Sequence, residues 1–141
     1  QTFWQWLADA KLLAVVMYGL PVLYIFFFVG DWSAILKLTI SVIVSIAIGY
    51  GLKAIILRPR PHNHVTYLGK SDSSFPSLHT FCAFNLAFLL SNYFPQLVIA
   101  WYLYAGLVGL ARMYIQVHYF TDVVGGVVLG TGIAWGILNL L

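Results

Sequence analysis

The chain has 141 residues, of which 62% are apolar, 17% aromatic and only 8% charged. Soluble domains carry roughly a quarter charged residues, and so small a globule leaves too much surface exposed to hide this hydrocarbon. A soluble enzyme, a disordered linker, a collagen rod and a disulfide scaffold are thereby excluded, and a net charge of +3 without a basic run offers no nucleic-acid patch.

The sequence opens at Gln1 rather than Met, which leaves room for a preceding segment. Phe3, Trp4 and Trp6, set among polar residues before Lys11, suit a stretch at the lipid–water boundary. A spanning helix needs about 20 mostly apolar residues. Leu12 to Gly30 is uncharged and predicts the first span, with Gly19 and Pro21 marking a mid-helix kink; it is too long for a signal peptide. Ser33 to Leu57 is the second span, Phe75 to Tyr93 the third, Leu97 to Tyr114 the fourth and Val123 to Leu141 the fifth. The expectation is one all-α domain, a polytopic transmembrane helical bundle over residues 1–141. Small residues recur every four positions at Ser41, Ser45 and Gly49, and again at Gly126, Gly130 and Ala134, as at close helix contacts. The single cysteine, Cys82, allows no internal disulfide and reads as packing.

Alternation of helices fixes sidedness. The end of span two, the start of three, the end of four and the start of five share one membrane face, which receives Lys53, Arg58, Arg60, Lys70, Arg112 and all four histidines. Pro76 suits the first turn of the third helix, whose free N–H groups and dipole make an anion site to which Ser77 adds a hydroxyl. Bases clustered around two histidines suit phosphoryl transfer. That reaction needs positive charge on the equatorial oxygens, an in-line nucleophile and a proton for the leaving oxygen. Lys53, Arg60 and Arg112 supply charge. His118 is the better nucleophile, because Asp122 at i+4 can hold its other ring nitrogen, leaving His79 as general acid.

Taken singly, each signal has an ordinary explanation. Lys53 and Arg112 fit snorkelling side chains, and Asp122 fits a dipole partner for the last helix. Arg58 either replaces Arg60 at the phosphate or holds its loop at the headgroups. His62 and His64 match nothing and read as solvated loop residues. With Asp72 nearby they hint at a metal, but no third ligand has matching spacing.

Together, Lys53-x6-Arg60-Pro61, Pro76-Ser77-x-His79 and Arg112-x5-His118-x3-Asp122 resemble the three signature motifs of the type 2 phosphatidic acid phosphatase (PAP2) superfamily. The resemblance implies a lipid phosphatase that works without a metal or cofactor, through a phosphohistidine on His118. It further implies phosphate binding by Lys53, Arg60, Ser77, His79, Arg112 and the Leu78 backbone, with Asp122 orienting His118. Leu78 stands where Gly is common and is expected to narrow the mouth; Ala111 stands where Ser is usual and removes a hydroxyl. Family members commonly have six helices, one more than the five predicted. The compact size points to a bacterial inner-membrane enzyme of the phosphatidylglycerophosphatase B or undecaprenyl-diphosphate phosphatase type. The positive-inside rule alone would put the basic face in the cytoplasm, whereas the resemblance implies an extracytoplasmic site. The expected partner is a lipid phosphate within the bilayer. The rival readings are a lipid phosphotransferase with the same site and a non-catalytic anionic-lipid binder or transporter.

Overall fold

The computed structural model describes residues 2–61 and 73–141; His62, His64, Lys70 and Asp72 lie outside them. Among the described residues every regular element is helical, with no strand. Helix α1 (Phe3–Leu7) opens with a reciprocal cap, Gln5 N–H donating to Thr2 Oγ1 at 3.2 Å and Thr2 N–H to Gln5 Oε1 at 2.9 Å. Asp9 then caps α2 (Ala10–Val29). The expected kink in α2 takes the form of two π turns, Val15–Gly19 and Ile25–Val29. The first lies just ahead of Pro21, which has no N–H to continue the regular ladder. Gly30, at φ 72°, ends α2 in the left-handed region, and Asp31 caps α3 (Trp32–Ile56) by accepting from Ala34 N–H at 3.0 Å.

Helix α4 (Leu78–Tyr93) begins later than the sequence predicts. Ser77 is extended as its N-cap, so Pro76 falls outside the helix rather than in its first turn. At 16 residues it reaches about 24 Å, short of the roughly 30 Å hydrocarbon core. It is the hub of the bundle, packed by α2, α3, α5 (Val98–Tyr114) and α6 (Phe120–Leu140). A 3-10 turn, Pro95–Leu97, links α4 to α5. Four helices are long and apolar enough to cross a membrane: Ala10–Val29, Trp32–Ile56, Pro95–Tyr114 and Phe120–Leu140. Their outward residues, among them Phe28, Ile55, Ile99 and Val128, are large, apolar and exposed, the surface lipid requires.

The two small-residue stripes do what their spacing predicts. Ser41, Ser45 and Gly49 are buried on the face of α3 that ends in Lys53. On α6, a Cβ added at Gly126 would stand 2.9 Å from the Ser77 carbonyl oxygen, and one at Gly130 2.3 Å from that of Phe81, so α4 and α6 touch backbone to backbone. Asn85 crosses this seam, donating to Ser41 Oγ at 2.7 Å and to the Gly130 carbonyl at 3.3 Å. The N-terminal stretch does more than float at the interface. Leu7 and Ala8 are buried with Ala111, while Trp4 lies 4.8 Å from Tyr114.

Candidate active site

Two turns without glycine bring the motif residues to one end of the bundle. Leu57 (φ 49°) ends α3 just before Arg58 and Arg60, and Gln116 (φ 59°) turns the chain after α5 just before His118. A left-handed backbone costs a residue with a Cβ on the order of 1 kcal/mol, and such strain gathers where geometry is imposed for function.

Lys53, 5% exposed, donates through Nζ to the Ser73 carbonyl. Arg60 Nη1 donates to the Val117 carbonyl at 3.1 Å, beside His118. Arg112 Nη1 reaches the Ala8 carbonyl at 3.4 Å, while its buried Nε has no partner. His118 is 4% exposed, and its Nδ1 stands 3.7 Å from Asp122 Oδ2, close but not hydrogen-bonded. Asp122 is fully buried; Oδ2 accepts the Tyr119 N–H at 2.8 Å and Oδ1 accepts from Arg58 at 2.8 Å. Ser77 is fully buried, with its hydroxyl 3.0 Å from Thr80 Oγ1 and its N–H on the Asp122 carbonyl at 3.1 Å. One N–H expected to face an anion is thus spent joining α4 to α6. His79 and Leu78 are half-buried and line an apolar cavity of about 210 Å³ with Ala10, Leu13, Tyr18 and Cys82. The Leu78 side chain fills the gap left by Gly49, where a Cβ would lie 2.5 Å from Leu78 Cδ1.

Spacing alone did not reveal three contributors. Ser73 takes the Lys53 ammonium on its carbonyl and the Arg58 N–H on its hydroxyl at 3.0 Å. Ser74 donates its N–H to the Arg58 carbonyl at 2.8 Å, hydrogen-bonds His118 through its backbone and leaves a buried hydroxyl unpaired. Thr121 accepts from Arg58 at 2.5 Å. The sequence signal for the two serines was only their abutting Phe75-Pro76, and Thr121 had none beyond its place beside Asp122.

Burial, with the charges of Arg112, Arg60 and Lys53, pushes His118 from the ordinary 6.5 down to about 2, against a small upward pull from Ser74. The imidazole is therefore neutral at physiological pH, the form in which it is a nucleophile. The unfolded chain takes up this proton near pH 6.5 and the folded chain near 2, so folding stability is full above 6.5 and declines as pH falls from there toward 2. Thermal unfolding in detergent between pH 7.5 and 5 is expected to fall more steeply for the wild type than for His118→Asn. Equal slopes would show that His118 is not held neutral by its surroundings.

Residues 34–141 match the PAP2 superfamily. Undecaprenyl-diphosphatase BcrC of Bacillus subtilis is 33% identical over 124 residues, covering 82% of this chain and 63% of that protein. The bacitracin transport permease protein BcrC of Bacillus licheniformis is 39% identical over 59 residues, covering 42% of this chain and 29% of that one. Inositol phosphorylceramide synthase of Candida albicans is 38% identical over 66 residues, covering 43% and 14%. The chain thus spans from about a seventh to under two thirds of these relatives' lengths. In three dimensions it resembles Aquifex aeolicus LpxE, with TM-score 0.80 and 25% identity over 97% of this chain and 84% of that one. It also resembles a Bacillus subtilis PAP2-type phosphatidylglycerolphosphate phosphatase, with TM-score 0.74 and 26% identity over 97% and 72%. The membrane helices, the three motifs gathered at one end of the bundle and these likenesses agree: the chain is an integral membrane protein and belongs to the PAP2 superfamily of membrane phosphatases.

Proposed function

We propose that the chain is one membrane domain, with α4 as a fifth crossing, that hydrolyses a phosphate ester or diphosphate on a lipid headgroup through a phosphohistidine. The observation that carries this reading is that three cations act on one buried, neutral imidazole held beside a buried carboxylate. The unpartnered Arg112 Nε and Ser74 hydroxyl are buried donors that an anion would satisfy.

In this mechanism Lys53, Arg60 and Arg112 bind the equatorial oxygens. His118 attacks phosphorus, the bond to the leaving oxygen breaks, and His79 gives that oxygen its proton. Water then attacks the phosphohistidine, returns a proton to His79, breaks the P–N bond and releases inorganic phosphate. The Ser77 hydroxyl and the Leu78 N–H complete the cradle. The lipid chain lies in the apolar cavity beside His79, whose volume of about 210 Å³ suits a one-chain polyprenyl diphosphate, the substrate class named for the Bacillus subtilis relative. The site faces the extracytoplasmic side of a bacterial plasma membrane. The deciding experiment offers detergent-solubilised polyprenyl diphosphate and phosphatidic acid and seeks an acid-labile, base-stable phosphoprotein. Tight lipid binding without phosphate release would leave a non-catalytic binder. A second reading, transfer to a lipid hydroxyl, draws support from the likeness to a synthase. In ¹⁸O-water, hydrolysis puts label into phosphate and transfer does not.

Leu78 sets the width of this cavity. Leu78→Gly is expected to raise kcat/KM for two-chain phosphatidic acid relative to polyprenyl diphosphate by about fivefold, the scale of a few methylenes in an apolar pocket. An unchanged ratio would remove Leu78 as the throat.

A further inference from the structure

We propose that Arg58, which fills an unspecified position of the first motif between Lys53 and Arg60, is a positioning residue that acts on His118 through Asp122. The inference rests on the phosphohistidine reading. Asp122 is fully buried, and a carboxylate in that position needs a counter-charge. Arg58 supplies it, with Nη1 2.8 Å from Oδ1 and 2.5 Å from Thr121 Oγ1, and its guanidinium carbon 4.4 Å from the centre of the Tyr119 ring. Fixing Oδ1 fixes the rotation of the carboxylate, so Oδ2 stays on the His118 side, where it also takes the Tyr119 N–H. The main chain of Arg58 is held just as firmly, its N–H on Ser73 Oγ and its carbonyl on the Ser74 N–H. Ser73 receives Lys53, and Ser74 touches His118. Arg60, two residues on, turns instead to Val117. The two arginines therefore divide the labour: Arg60 stands with the phosphate-binding cations and Arg58 serves the carboxylate that orients His118. Both bonds leave one nitrogen, Nη1, so a lysine at 58 keeps the charge and a donor but loses the planar face laid against the Tyr119 ring.

The test measures kcat and KM of the purified full chain for Arg58→Gln, Arg58→Lys, Asp122→Asn and the double variant Arg58→Gln/Asp122→Asn, beside wild type and His118→Ala. Arg58→Gln is expected to lower kcat about tenfold with KM within about twofold, and Arg58→Lys to recover part of the loss. In the Asp122→Asn background, where the route through the carboxylate is already cut, Arg58→Gln should cost less than about threefold. The same fold-loss in both backgrounds overturns the proposal. So does a raised KM with unchanged kcat, the mark of a phosphate ligand. A loss that merely follows thermal unfolding, with Arg58→Lys no better than Arg58→Gln, also overturns it. If wild type and His118→Ala are equally inactive, the functional reading fails and this inference falls with it. If His118→Ala is dead while Arg58→Gln keeps wild-type kcat, only this inference fails.

Discussion

His118→Ala is expected to lower phosphate release by at least about a thousandfold, because on the proposed mechanism it removes the nucleophile and with it the covalent route. The fold should survive. The side chain is buried and gives up only its bond to the Ser74 backbone; its Nδ1 makes no hydrogen bond, and removing a neutral ring strands no counter-charge. His118→Ala should therefore elute and unfold like the wild type while failing to form an acid-labile phosphoprotein. It should still bind inorganic phosphate, since Lys53, Arg60 and Arg112 are untouched. Residual turnover within tenfold of wild type would mean that water attacks phosphorus directly and that the imidazole is only a base.

The second large effect is structural. Gly130→Val is expected to destabilise the bundle by about 3 kcal/mol, the upper end for overpacking, or roughly 10 °C in Tm for a chain this size. Its Cβ would lie 2.3 Å from the Phe81 carbonyl oxygen and 3.0 Å from the Asn85 N–H nitrogen, both main-chain atoms that cannot rotate away. Separating α4 from α6 would also strain the bond from Ser77 N–H to the Asp122 carbonyl, so activity should fall even where folded protein is recovered. Gly132→Val is the control, since a Cβ there meets nothing within 4 Å. Comparable melting of the two variants would remove the close seam as the cause.

Much of this was legible in the sequence because lipid imposes strict rules. Continuous apolar runs predicted α2, α3, α5 and α6 within a few residues, since a backbone in hydrocarbon must satisfy its own hydrogen bonds. The four-residue spacing of small residues identified the seam for the same reason. The start of α4 was not legible, because Phe75 and Pro76 extend the apolar run although Ser77 ends the extended segment. Nor was the choice between Arg58 and Arg60. Two residues apart around a proline, they look equivalent until the left-handed turn at Leu57 fixes where each points. Ala111 reads as a missing hydroxyl in the sequence, yet its methyl is buried with Leu7 and Ala8. That contact depends on the N-terminal stretch folding back, which no local pattern encodes.

The bridge from Asn85 to Ser41 and Gly130 sits where no water competes for its partners. Interhelical hydrogen bonds in bilayers average only about 0.6 kcal/mol, so its weight is mechanical more than energetic. Like a dowel through three beams, it stops α3, α4 and α6 from sliding along one another. Those beams carry Lys53, His79 and Asp122 in one fixed register, while α2, with its π turn at Val15–Gly19, forms the remaining wall of the apolar cavity beside His79.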